Sequence, residues 1–331
     1  MLRLEDILGQ EHIKEYFNSE LMHHQISHAY ILTGEAGMGR KTIANAFAMA
    51  IECEEEGVTP CMQCRSCRQF MSGTHPDVVY VRHSKPGSIG IDDVREQIIN
   101  DVAIKPYYGP YKIYIVDQAE LMTVQAQNAL LKTIEEPPQY AVLFLLTTDL
   151  AAFLPTITSR CVNLKLKPLY DKIIKDHLVQ EYRVPERQAD VITAFARGNL
   201  GKAIALAGSE EFAGMQEAVL GILKHVREMN IADMQAGLRQ IREAGYDIME
   251  CLDMTELWFR DILMFKATQD TAGFVFKDEY RYIKDIADRT SFEGIEKILK
   301  AVDTARIRIN ANVDLELAME LMLLAIKENI L

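Results

Sequence analysis

Along the first 167 residues, short unbroken apolar runs alternate with segments whose apolar side chains recur every three or four positions. Unbroken runs suit strands buried on both faces, and the longer period suits helices lying against a sheet. The pattern predicts strands at His28–Thr33, Val78–Arg82, Lys112–Val116, Ala141–Thr147 and Val162–Leu166. It predicts a helix from Lys41 to Glu52, directly after the glycine-rich turn Gly34–Gly39. A second helix runs from about Thr123 to Glu135 and is stopped by Pro137-Pro138. Five strands separated by helices define an α/β domain, residues 1–167, with three layers around a parallel sheet.

After Pro168 the pattern changes to amphipathic helix throughout. A small helical unit is expected over 168–208, with Gly198-Asn199-Leu200-Gly201 opening its last helix. An all-α unit follows over 209–331. It contains the only tryptophan, Trp258, and ends in the stripe Leu315, Ala318, Met319, Met322 and Leu323, the i, i+3, i+4, i+7, i+8 spacing of one helix face. Such a stripe fits a monomeric core as well as an oligomeric contact. There is no internal repeat and no low-complexity segment.

Composition narrows the class. A chain of 331 residues, 49% apolar and 25% charged, is globular and long enough for two or three domains. No apolar run approaches the ~20 residues of a membrane span, and Ala141–Leu146 is six long. The opening MLRLEDILGQEHIKEYF carries acids early and lacks an apolar signal core, so a cytoplasmic chain is expected, with no membrane partner. Net charge is −12, with 15 basic and 20 acidic residues in 1–170 and 21 and 28 in 171–331. Neither half has the basic excess of a protein built mainly to grip DNA, so any DNA contact is local or made through a partner.

Four of the six cysteines crowd together as Cys53-x7-Cys61-x2-Cys64-x2-Cys67, around a module at about 50–70. Four thiolates close a tetrahedral Zn²⁺ site, and Gly57 and Pro60 supply the turn that returns Cys53 to the others. A closed site of this kind is structural. An iron–sulfur cluster is the rival, but the C-x2-C-x2-C portion lacks the following C-x3-C-P.

Gly34-Glu35-Ala36-Gly37-Met38-Gly39-Arg40-Lys41-Thr42 lies between strand and helix, where a phosphate-binding loop belongs. Such a loop needs G-x-x-x-x-G-K-[ST], with Lys on the β/γ-phosphates and a hydroxyl on Mg²⁺. Here Arg40 fills the Lys slot and Lys41 the hydroxyl slot. Moving the frame to Lys41-Thr42 misplaces the glycines. Ile113–Asp117 is an apolar strand ending in a carboxylate, the arrangement that supports Mg²⁺ in P-loop ATPases. The next residue is Gln118, which cannot act as a general base, and Glu120 would need another geometry. ATP hydrolysis is therefore not expected. Occupancy by ATP or ADP stays open, because loop amides at Gly34, Gly37 and Gly39 and the helix start still attract anions.

These motifs form a series: Gly9-Gln10, Ser27–Tyr30 (SHAY), the degenerate loop, the four-cysteine insert, His75–Asp77 (HPD), the strand ending at Asp117, Asn128–Pro138 (NALLKTIEEPP) and Thr156–Cys161 (TITSRC). In that order they resemble the bacterial clamp-loader subunits of the AAA+ class, most closely the delta-prime type of DNA polymerase III. The resemblance covers nearly all of 1–208 and more weakly the C-terminal helices, where Asn310-x-Asn312 precedes the last amphipathic stretch. It implies an AAA+ domain with a zinc module held by Cys53, Cys61, Cys64 and Cys67, then a helical lid and a helical collar. It also implies work within a pentamer that places a sliding clamp on primed DNA during replication. The partners would be gamma/tau and delta subunits, and the clamp and DNA would be met through the complex, in the cytoplasm at the nucleoid.

In that family Ser-Arg-Cys presents an arginine finger to a neighbour's ATP site, a role that falls here on Arg160 beside Ser159. Motor subunits keep the loop Lys and the Glu after Asp117, and carry an Arg early in the last lid helix, where this chain has Gly201-Lys202. All three departures favour a subunit that is not an enzyme on its own. The rivals are an active gamma/tau-type motor and a zinc-dependent DNA-binding module using basics such as Arg65 and Arg68.

Overall fold

A computed structural model describes residues 3–55, 57–271 and 273–330, and the chain divides into two compact units. The first comprises the residues through Leu169 together with Asn199–Gly201. Its sheet contains β1 (Ala29–Thr33), β2 (Val78–Tyr80), β3 (Lys112–Val116), β4 (Ala141–Thr147) and β5 (Val162–Lys165). All neighbours are parallel, in the order β2-β3-β4-β1-β5. This is the sheet order of an AAA+ domain, with β1 between β4 and β5. Every residue of β3 and β4 is buried, as continuous apolar runs require of central strands covered on both faces.

One face carries α1 (Glu11–His23), α2 (Arg40–Ile51) and α3 (Arg65–Met71). Phe17 stacks on Phe47 at 3.8 Å and Tyr30 on Phe144 at 5.0 Å, forming an aromatic core between helices and sheet. The other face packs α4 (Ile91–Val94) with the π-turn at Arg95–Ile99, α5 (Val124–Glu135) and α6 (Pro155–Thr158) against Ile31, Tyr114, Leu143 and Leu145. Thr123 caps α5 by accepting from the Ala126 N–H, which sets that helix's start at the residue the sequence indicates. Helix α1, helix α3 and the segment 91–99 are short or loosely patterned and were not evident from periodicity.

The second unit is all helix in its regular structure: α7 (Asp171–Tyr182), α8 (Glu186–Ala196), most of α9 (Leu200–Ala207), α10 (Glu210–His225), α11 (Ile231–Glu243), α12 (Ile248–Thr268), α13 (Tyr280–Arg289), α14 (Phe292–Asn310) and α15 (Leu315–Asn329). Trp258 on α12 is wholly buried and packs against Phe276 at 5.7 Å. Nearby, buried Asp261 accepts N–H bonds from Val275 (2.8 Å) and Phe276 (2.9 Å), pinning the chain beyond α12. The predicted stripe on α15 faces inward at Ala318, Met319, Met322 and Leu323, while Leu315 is half-buried. No described helix is long and apolar enough to cross a membrane.

Candidate functional site

The four clustered cysteines converge. The sulfurs of Cys53, Cys61, Cys64 and Cys67 all lie within 4.8 Å of one another, and none is in a disulfide. A tetrahedron of thiolates on zinc needs sulfurs about 3.8 Å apart, given Zn–S distances of about 2.3 Å, so small movements close the site. Its backbone is arranged to favour thiolates. The Cys61 N–H donates to Cys53 Sγ (3.3 Å), Cys64 N–H to Cys61 Sγ (3.2 Å) and Cys67 N–H to Cys64 Sγ (3.3 Å). The last bond makes Cys64 the cap of α3. Burial pushes the Cys53 and Cys67 thiols up; at Cys64 burial is outweighed by backbone donors, which hold it below the usual thiol range. This donor set can hold a metal ion and fits zinc, which would displace the thiol protons.

The cluster is tied to the sheet through a buried polar group. Ser66 Oγ lies 3.1 Å from His75 Nε2, and that nitrogen is 3.9 Å from Glu52 Oε2. Burial, with the charge of Asp77 adding to it, pushes the Glu52 carboxyl up to about 9, while burial lowers His75. Asp77 itself accepts three successive backbone N–H bonds from Tyr107, Tyr108 and Gly109.

At the phosphate loop, Gly37 (φ 87°) and Gly39 (φ 94°) adopt the left-handed conformation that a tight strand-to-helix turn demands. Arg40, in the Lys slot, is buried, and its Nη1 has no hydrogen-bond partner among the described residues. Lys41 turns toward the end of β3, with Nζ 3.6 Å from Asp117 Oδ2 and 5.7 Å from the centre of the Tyr80 ring. An ammonium thus stands against the carboxylate that serves Mg²⁺ in P-loop ATPases. Thr42 is exposed.

The outer side of the loop is closed by Asn199–Gly201. Asn199 Nδ2 donates to the Ala36 carbonyl (2.7 Å) and the Gly201 N–H to the Gly37 carbonyl (3.1 Å). A Cβ at Gly201 would overlap the Gly37 carbonyl oxygen, so glycine is required there. Gln118 is exposed in the left-handed region (φ 51°). Glu120 Oε1 accepts from the Thr148 hydroxyl (2.7 Å), so this carboxylate is engaged at the end of β4.

Arg160 follows α6. Its Nη1 donates to the Thr156 carbonyl (3.0 Å), and its Nη2 lies 3.1 Å from Glu135 Oε1 at the end of α5. The guanidinium is 41% exposed and its partner 44%, so the pair is loosely held and open to solvent. Ser159 Oγ donates to the same Thr156 carbonyl (3.3 Å). Buried Gln127 on α5 fixes this segment: its Nε2 donates to the carbonyls of Met122 and Ala152, and its Oε1 accepts from the Leu154 N–H. Gln127 is not singled out by the sequence, and Glu135 and Asn199 stand out there only within the Asn128–Pro138 motif and the turn that opens the last lid helix, with no role attached. Gln127 had one readable signal, a polar residue on the inward face of a strongly amphipathic helix. The described structure brings Lys41 to Asp117 and gathers the four cysteines into one cluster.

The chain matches two family models. Residues 9–170 match "DNA polymerase III, delta subunit" and residues 221–328 match "DNA polymerase III, delta subunit, C terminal". It is 30% identical over 311 residues to DNA polymerase III subunit delta' of Bacillus subtilis, covering 92% of each chain. It is 29% identical over 297 residues to subunit tau of the same organism, covering 83% of this chain but only 52% of tau. A solved structure of a gamma-subunit-related protein from Thermotoga maritima aligns over 95% of this chain and 99% of its own, at 18% identity and a TM-score of 0.44.

Proposed function

The chain belongs to the delta-prime clamp-loader family of DNA polymerase III, and on that premise we propose that it is a subunit that hydrolyses no ATP itself and completes a neighbour's active site with Arg160. The observation that carries this reading is the filling of the phosphate loop: buried Arg40 stands in the Lys slot and Lys41 in the hydroxyl slot, where its ammonium forms a solvent-open pair with Asp117 in place of a hydroxyl that could hold Mg²⁺. Gln118 removes the base that would activate water. Arg160 is exposed at the end of a short helix braced by Gln127, a position from which a guanidinium can reach across an interface and neutralise charge on a transferred phosphoryl group.

In this reading Cys53, Cys61, Cys64 and Cys67 hold a structural zinc. The helices over 168–208 form the lid, and those over 209–331 the collar that joins gamma/tau and delta subunits. The sliding clamp and primed DNA are met through the assembly, in the cytoplasm. ATP or ADP at the Gly34–Thr42 loop plays no chemical part.

The test is clamp- and DNA-stimulated ATP turnover by a reconstituted loader, beside this chain alone. The chain alone is expected to be silent, and Arg160→Ala to cut turnover of the assembly by more than about tenfold, a threshold set below the ~10³-fold or larger contribution of arginine fingers. Turnover by the isolated chain would restore the motor reading, and an unchanged Arg160→Ala assembly would remove the finger.

A further inference from the structure

Arg160 is folded back on its own domain. Its Nη1 donates to the Thr156 carbonyl (3.0 Å) and to Ser159 Oγ (3.4 Å), and its Nη2 faces Glu135 Oε1 at 3.1 Å. Both terminal nitrogens of the fork are therefore engaged. A guanidinium that reaches a neighbouring subunit must first let go of the carbonyl and the carboxylate.

The place of Glu135 makes that release difficult. Glu135 is the last residue of α5 and exposed Glu136 follows it, so two carboxylates sit at the end of a helix where the macrodipole is already negative. Local preference would put only cations there, and a local rule broken at an exposed position is the mark of a functional one. Departure of Arg160 would uncover both acids, and their field would draw the guanidinium back.

One further cation stands in place. Lys132 lies one turn before Glu135 on the same helix, an i, i+3 spacing that makes the two side chains neighbours. It is exposed and forms no ion pair among the described residues. The carbonyl end has a counterpart, because the Ser159 hydroxyl already donates to the Thr156 oxygen (3.3 Å). Each acceptor that Arg160 would vacate thus has a second donor of the chain beside it.

We propose that Lys132 is a positioning residue for Arg160: its ammonium takes over the Glu135 carboxylate as the guanidinium swings out, while Ser159 keeps the Thr156 carbonyl. One cation replaces another, so the carboxylate stays answered throughout. Where a neighbouring subunit excludes water, a cation carried on the chain counts for more than solvent would. Lys132 itself touches no reacting group. This inference rests on the finger reading of Arg160.

The experiment is clamp- and DNA-stimulated ATP turnover by the reconstituted loader. The loaders compared carry Lys132→Met, Lys132→Arg, Glu135→Gln, the Lys132→Met/Glu135→Gln pair or Arg160→Ala. Lys132→Met removes the charge and keeps the stem, and should lower turnover about three- to fivefold, the most that an exposed pair supplies. Lys132→Arg, which keeps the charge, should hold turnover within about twofold of wild type. In the Glu135→Gln background Lys132→Met should change nothing, because no carboxylate is left to take over. A Lys132→Met loader equal to wild type, beside an impaired Arg160→Ala loader, would overturn this inference alone. So would an equal loss from Lys132→Met in both backgrounds, since the ammonium would then act on the neighbour directly. An Arg160→Ala loader that turns over normally would remove the finger and this inference with it.

Discussion

Arg160 and Glu135 show what a single solvent-open ion pair can do. Two side chains, each about two-fifths exposed, hold one another for at most about 1 kcal/mol. If Glu135 competes with a phosphoryl group for the guanidinium, Glu135→Gln should raise turnover of the assembled loader, by no more than about fivefold. A fall as deep as that of Arg160→Ala would instead make Glu135 a positioning residue. Asp261 gives a second test at this scale. Burial raises its carboxyl above the ordinary range, outweighing the N–H bonds from Phe276 and Val275. The folded state therefore holds that proton more tightly than the unfolded one. The stability it contributes is complete below the unfolded pKa and is lost as pH rises through the folded pKa. Asp261→Asn keeps an acceptor for both N–H groups, so denaturant unfolding should show the variant gaining on wild type as pH rises from the unfolded-carboxylate range toward neutrality. A parallel pair of pH profiles would contradict this. The identities of these residues were readable, but their pairings were not: Arg160 and Glu135 are joined by packing of α5 against α6, which no spacing in the chain announces.

Elements were legible where one force dominated. β4 is seven buried residues drawn from an unbroken apolar run, and α5 carries its cap and its proline stop in plain view. Helix α3 has neither advantage. It is seven residues long, and its cap is a cysteine sulfur, so its stability depends on the thiolate cluster rather than on its own pattern. If the cluster holds the zinc proposed above, its removal by a strong chelator, or Cys64→Ser, should unfold the segment around the four cysteines and α3, read as a loss of helical ellipticity and faster amide exchange there. Exchange that stays slow without metal would show that Ser66, His75 and Glu52 suffice to hold it. The segment Asn199–Gly201 makes a sharper case. Gly201→Ala forces a methyl group against the Gly37 carbonyl, so the variant should lose on the order of 1–3 kcal/mol in chemical denaturation, with faster exchange at the loop. The sequence offered only the dipeptide Gly201-Lys202 in place of an arginine, and the steric reason for the glycine appears once the loop carbonyl is seen beside it.

For the whole molecule, the sequence pattern changes from α/β to all-helix at Pro168, and the described chain divides into two compact units, the first comprising the residues through Leu169 with Asn199–Gly201. The return of Asn199–Gly201 to that unit was not legible, because a three-residue contact through backbone groups leaves no hydropathic trace. If each compact unit unfolds on its own, the chain should show two separable transitions. Trp258, the only tryptophan, lies in the helical unit and reports it alone. Metal removal should therefore lower the transition seen in tyrosine and far-ultraviolet signals while leaving the Trp258 transition in place. A common shift in both would make the chain one cooperative block. The Lys41–Asp117 contact reaches further than stability. A counter-ion that diffuses must be present in the medium, whereas one carried on the chain stays beside its carboxylate whatever the medium holds. If the chain hydrolyses nothing, as proposed, starvation for magnesium or a chelator in the buffer should leave this carboxylate's surroundings unchanged, because the cation beside it is encoded in the chain.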